Sequence, residues 1–112
     1  MNDEWKLSHK FILSLKEGDV FFLGKKKFEV TKVNIHKISF LIDGNPFNIL
    51  KKRYDEFFYF HSRGIKIRNR MYPEITNLLR DIEGYIIYLN HIFFMNEKEK
   101  KFKEILDRNL KN

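Results

Sequence analysis

Histidines, carboxylates and clustered cations are the residues of this chain with the chemistry for a site. The histidines are His9, His36, His61 and His91. No two stand four residues apart, and the chain has no cysteine, so the pattern assembles no zinc site. Asp55 and Glu56 are adjacent carboxylates, which point to opposite faces of any strand and cannot share a proton there. His61, close before Arg63, has the residue types for phosphodiester chemistry. It lacks the further acid, base or metal ligands that a nuclease requires. Gly18, Gly24, Gly44, Gly64 and Gly84 are isolated, so the chain holds no glycine-rich phosphate loop and no nucleophile elbow. The expectation is a non-catalytic protein with no metal and no cofactor.

What remains is positive charge. The chain of 112 residues has a net charge of +7, unevenly spread. Residues 20–70 carry twelve Lys or Arg against four Asp or Glu, while residues 71–112 carry seven of each. The excess forms three clusters: Lys25, Lys26 and Lys27; Lys51, Lys52 and Arg53; and Arg63, Lys66, Arg68 and Arg70. A polyanion is the natural partner for such a layout, because each neutralised phosphate releases condensed counterions. Tyr54, Phe58 and Tyr59 follow the second cluster and Tyr72 follows the third, so rings on which bases could stack lie close by. The candidate binding set is therefore the three clusters with Tyr59 and Tyr72, facing either a nucleic acid or an acidic surface of a host protein. Lysine-rich turns are also ordinary solvated surface. The paired arginines make the third cluster the most specific.

The elements that must hold these residues begin with residues 2–15, where Leu7, Phe11 and Leu15 recur at helical spacing. Phe11-Ile12-Leu13 could also be a strand run, but the longer period favours a helix. Lys16-Glu17-Gly18-Asp19 is a turn. Val20 to Leu23 is β-branched and aromatic, as strands prefer. Phe28, Val30 and Lys32 then share one strand face while Val33 falls on the other, which predicts a bulge or a strand end near Lys32. Residues 37–42 form the next strand. Asp43-Gly44 is a hairpin signal, because a type I′ turn needs positive φ at both central positions. Pro46 delays the returning strand to about Phe47 and places it at an edge. Residues 55–60 read as a last short strand or a helical turn.

Pro73 suits the first turn of a helix. Ile75, Leu78, Ile82, Tyr85, Leu89 and Ile92 follow at spacings of three and four, with Leu79, Ile86 and Phe93 widening the stripe. Gly84 weakens this helix unless a neighbour approaches closely. Asn96 and Glu99 form a capping box that opens a final helix from about Glu97 to Leu110.

Strands at about ten-residue spacing with tight turns predict a small barrel or an open sheet. The Gly18-Asp19-Val20 lead and the long bent second strand resemble an SH3-like barrel of the Tudor or KOW kind, over about 40 residues. The resemblance implies a fold and carries no functional residue across. The alternative is a twisted antiparallel sheet covered by a helix. The expected class is α+β, in a single domain over residues 1–112: a helix over 1–17, a β-unit over 18–61, a basic connector over 62–72 and a helical hairpin over 73–112.

With 43% hydrophobic residues and twelve Phe, the chain can fill a core. The acidic N-terminus carries no signal-peptide pattern, and the apolar patch from Tyr85 to Met95 is too short to span a bilayer. A cytoplasmic protein that avoids membranes is expected. The lack of Ala and Gln beside abundant Lys, Ile, Asn and Phe is the composition of an AT-rich genome, such as a bacteriophage.

Three functions fit. The first is nucleic-acid binding through a basic β-surface. The second is inhibition of a host nucleic-acid-handling protein: short, catalytically empty, AT-rich chains resemble anti-CRISPR and other host-takeover proteins of phages. The third is an assembly subunit acting through its C-terminal helices, with a homodimer through the helix at 75–92.

Overall fold

The structure is a computed structural model that describes residues 3–64 and 72–110. Helix α1 (Asp3–Ser14) precedes strands β1 (Val20–Leu23), β2 (Lys26–Val33), β3 (Lys37–Ile42) and β4 (Asn45–Leu50). Helices α2 (Lys51–Ser62), α3 (Pro73–Leu89) and α4 (Glu97–Leu110) follow. The class is α+β. None of the described helices is long and apolar enough to cross a membrane.

The strands form an antiparallel meander in the order β1-β2-β3-β4. Among the described residues β1 and β4 do not pair, so the sheet stays open and the SH3-like barrel does not form. The reason lies in residues 51–62. Closing a barrel requires a further strand, but this segment is the helix α2. Tyr54, Phe57 and Phe58 stand at i, i+3 and i+4, an apolar stripe that strand alternation would have split. As a helix, α2 buries Tyr54 and Phe57.

Local chemistry fixes the sheet register. Asp43 (φ 49°) and Gly44 (φ 84°) make the tight turn between β3 and β4, with Ile42 opposite Asn45. Asp43 also ties this turn to β2: its Oδ1 accepts from Lys27 N–H at 2.9 Å, and its N–H donates to Lys27 O at 2.8 Å. Strand β4 begins at Asn45, earlier than Pro46 led us to expect. Pro46 lies opposite Leu41 on an edge strand, next to the hydrogen-bonded pair at the turn. Its ring nitrogen therefore points to the free edge, where no N–H is needed. The expected bulge is present, as a register shift between Val30 and Lys32. It returns Val33 to the face that holds Phe28 and Val30. At the far end, Asn34 Oδ1 accepts from His36 N–H and Lys37 N–H, closing the β2–β3 turn.

The helices cover one face of the sheet. Phe11 of α1 stacks on Phe102 of α4 at 4.5 Å and meets Phe21 of β1 edge-on at 5.1 Å. Phe11, Ile12 and Leu15 are buried while Leu13 is exposed, which is helical spacing. On α3, Ile75, Leu78, Leu79, Ile82, Ile86 and Leu89 are buried, with Tyr85 of the helix and Ile92 beyond its end partly buried against the core. Helix α3 packs on α1 and β1 within the same chain. That seam is thus largely covered from inside the chain, while Ile87 and Tyr88 on the same helix stay 40% and 46% exposed. Asn90 caps the helix C-terminus, its N–H reaching Ile86 O and Ile87 O at 3.2 Å. Phe93 lies beyond that end and is 96% exposed, so it does not widen the stripe. An added Cβ at Gly84 would meet nothing within 4 Å, so no close approach requires this glycine.

Candidate nucleic-acid interface

Residues paired across strands share a face of the sheet. Phe21, Phe28, Val30, Ile38, Phe40 and Ile49 therefore point to the helices, and all are buried. The opposite face carries Val20, Phe22, Lys27, Glu29, Lys32, Ser39, Leu41, Asn48, Lys37 and Leu50. Not one of these is buried. Three lysines run along this open face, with Glu29 as its carboxylate. Lys27 Nζ holds Glu29 Oε1 at 2.9 Å. The bulge puts Lys32 on this face; a regular strand would have turned it inward with Val30.

The first two predicted clusters lie at opposite ends of this track. Lys25 is in the β1–β2 turn, and Lys26 and Lys27 open β2, with Lys26 paired to Leu23 and Lys27 to Phe22. Lys51, Lys52 and Arg53 open α2, next to the β2–β3 turn; Lys51 N–H donates to His36 O at 2.8 Å. The length of β2 separates the ends by about 23 Å, at ~3.3 Å per residue. Lys32 and Lys37 stand between them, and sequence reasoning missed both as site residues. Their signal was present in strand parity, but only once the bulge is placed. The first turn of α2 holds no acid, so its three cations add to the positive end of the helix dipole.

Along α2, Ile35, Lys51, Lys52, Asp55, Glu56, Tyr59 and Phe60 line a groove of about 490 Å³. Tyr59 is 51% exposed, and the Arg63 guanidinium lies 4.5 Å from its ring centroid. The pair presents an aromatic face and a cation together.

Tyr72 does not join them. It is 5% exposed, packs edge-on to Phe57 at 5.8 Å and takes the Arg53 guanidinium over its ring at 4.9 Å. Its hydroxyl donates to Glu56 at 3.4 Å. Tyr72 is a core residue with no ring face open to a base, because the chain enters α3 there and needs an apolar plug. Arg53 is drawn to it and away from the track. Tyr54 is buried too, its hydroxyl bonded to His9 Nδ1, and burial pushes that phenol far above its usual range with Asp55 adding to the effect. The His9 ring also stacks on Phe58 at 4.0 Å. Lys66, Arg68 and Arg70 lie outside the described residues.

Among the described residues no three His, Asp or Glu side chains gather to hold a metal ion. Two exposed aromatics escaped the sequence reading as surface features. Phe93 and Phe94, 96% and 91% exposed, project from the α3–α4 connection. Comparison with family models, with curated proteins and with solved structures finds no match.

Proposed function

We propose that this protein binds single-stranded nucleic acid, without catalysis, across the open face of its sheet. One observation carries the reading: Lys27, Lys32 and Lys37 run along the uncovered face between the Lys25–Lys26 end and the Lys51–Lys52 helix start. Flexible strands suit a track of this kind, since phosphates follow the cations while bases rest on apolar neighbours. Leu41 and Leu50 supply such neighbours on the face, Phe22 carries the Lys98 ammonium 4.7 Å over its ring, and Tyr59 with Arg63 supplies a stacking platform at the far end. Ser39 and Asn48, in register with Lys32, offer polar groups between them.

The test is salt-titrated binding of labelled single- and double-stranded DNA and RNA at about 50 and 200 mM salt. Single strands should bind, and replacing Lys27, Lys32 and Lys37 by Gln should flatten the slope of log K against log salt by about 2, at roughly 0.7 per lost contact. Tyr59→Ala should cost about 1–3 kcal/mol if a base stacks there. Absence of binding at the lower salt overturns the reading.

A second reading rests on Phe93 and Phe94. Aromatic residues, Phe among them, are enriched at protein interfaces relative to the rest of the surface. They support the phage-type inhibitor that docks on a host protein, for which a nuclease-resistant 1:1 complex, lost in Phe93→Ser/Phe94→Ser, is the expected sign.

A further inference from the structure

We propose that the cleft between the β1–β2 turn and α3 binds a nucleoside 5′-phosphate. The cleft is lined by Lys25 and Lys26 where the turn enters β2, and by Asp81, Gly84, Tyr85 and Tyr88 on α3. Those four helix residues stand at i, i+3, i+4 and i+7 and so form one continuous face. The cleft measures about 450 Å³. Sites for small ligands occupy about 300–1,000 Å³ and combine apolar walls with a few polar groups.

Gly84 is the residue that first marks the place. Glycine in a helix interior is destabilising relative to alanine. Here no positive φ calls for it, and no neighbour comes within 4 Å of where a Cβ would stand. Neither backbone geometry nor packing explains it. Its missing side chain leaves open the floor of the cleft.

The walls are held in advance. Tyr88 donates its hydroxyl to Glu99 Oε2 at 2.6 Å, and Glu99 Oε1 accepts from Asn96 N–H at 2.9 Å. The capping box of α4 thus fixes the Tyr88 ring, which is 46% exposed. Tyr85 is anchored edge-on against Phe102 at 4.8 Å, and the two tyrosine rings lie 5.6 Å apart at 36°. An aromatic base finds a half-open ring wall here. Lys25 and Lys26 offer two ammonium groups to a phosphate, and Asp81 offers a carboxylate to ribose hydroxyls or an exocyclic amine. Cations on one side with a carboxylate and rings on the other suit a ligand that has an anion at one end and donors with a flat ring at the other.

The same chemistry has two sources, a free mononucleotide and the 5′-phosphorylated end of a strand. The site is independent of strand binding on the open face, although Lys25 and Lys26 border both. Calorimetric titration with adenosine, guanosine, cytidine and uridine 5′-monophosphates, against the matching nucleosides, tests the first source. Short oligonucleotides with and without a 5′-phosphate test the second. At least one of these should bind with a requirement for its phosphate.

Gly84→Met should fill the cleft, melt no lower than the parent and weaken that binding about tenfold or more, as loss of a stacking site does. Tyr88→Ala should weaken it similarly, and Lys25→Gln with Lys26→Gln should erase the preference for phosphate. Binding of mononucleotides with indifference to a 5′-phosphate on strands assigns the free ligand. A gain from the strand's 5′-phosphate that Gly84→Met removes assigns the strand end. Failure of every mononucleotide at millimolar concentration together with indifference to the 5′-phosphate overturns the site, as does parental affinity in Gly84→Met.

Discussion

Arg108 and Asp19 are 89 residues apart in the chain and meet as a two-pronged ion pair, at 2.7 and 3.1 Å. Asp19 also accepts from Lys16 N–H at 2.8 Å, so one carboxylate holds both the turn before β1 and the last turn of α4. Burial pushes the Asp19 carboxyl up, but the Arg108 hydrogen bonds, the Lys16 N–H and the nearby cations outweigh it and leave it below its usual range. Glu99 is lowered as well, by the Tyr88 hydroxyl and then the Asn96 N–H. A carboxyl lowered by folding contributes stability above its unfolded value, and this is lost as pH falls through the folded one. The melting temperature should therefore hold from neutral pH to about 5 and decline below about 4. Asp19→Asn should cost on the order of 1–2 kcal/mol at neutral pH, less than a fully buried charged pair because Arg108 is partly solvated, and should flatten the acid decline. Circular dichroism melts of both proteins from pH 7 down would show it; coincident curves would mean that the pair contributes nothing. The sequence marks Asp19 only as a turn residue. Its partner is invisible to local pattern, because nothing near Asp19 in sequence names Arg108.

Elements were legible where their signals are short-range. The Asn96–Glu99 box forms with both reciprocal bonds at 2.9 Å, and Asp43-Gly44 turns as its φ requirement demands. Gly44→Val should cost on the order of 1–2 kcal/mol, because a β-branched residue is strained at φ 84°. Asn96→Ala should cost about 1 kcal/mol through the lost cap. Thermal melts of the two variants check both, and an unchanged midpoint for Gly44→Val would mean that the turn is not formed in solution. Residues 55–60, which the sequence leaves open between a short strand and a helical turn, lie within the longer helix α2 (Lys51–Ser62). Lys51, Lys52 and Arg53 are poor openers for a helix, since they face its positive end. The burial of Tyr54 and Phe57 against the core outweighs that cost. Tertiary packing decided this element, and with it whether the sheet could close.

At the scale of the whole molecule, the fold decides how the first two basic clusters relate. They stand at opposite ends of the sheet, and only the strand register shows that Lys32 and Lys37 bridge them. The same folding settles how α3 satisfies its apolar face. A stripe of this width must be covered, and sequence alone leaves open whether the cover is this chain or a second copy. Here α1 covers it, so Leu78→Asp should unfold the monomer by burying an unpaired charge, and should not dissociate a dimer. Among the described residues the most exposed large hydrophobics are Phe93 and Phe94, at the α3–α4 connection. These rings make little packing of their own, so Phe93→Ser/Phe94→Ser should stay within about 0.5 kcal/mol of the parent. Light scattering at high micromolar concentration should return the 13.8 kDa of one chain for the parent and for the serine variant alike. A dimer that survives the serine changes would show that another face, not yet accounted for by burial, holds two copies together. A dimer that disappears with them would identify the α3–α4 connection as the contact and leave the α3 seam internal, as its buried residues require.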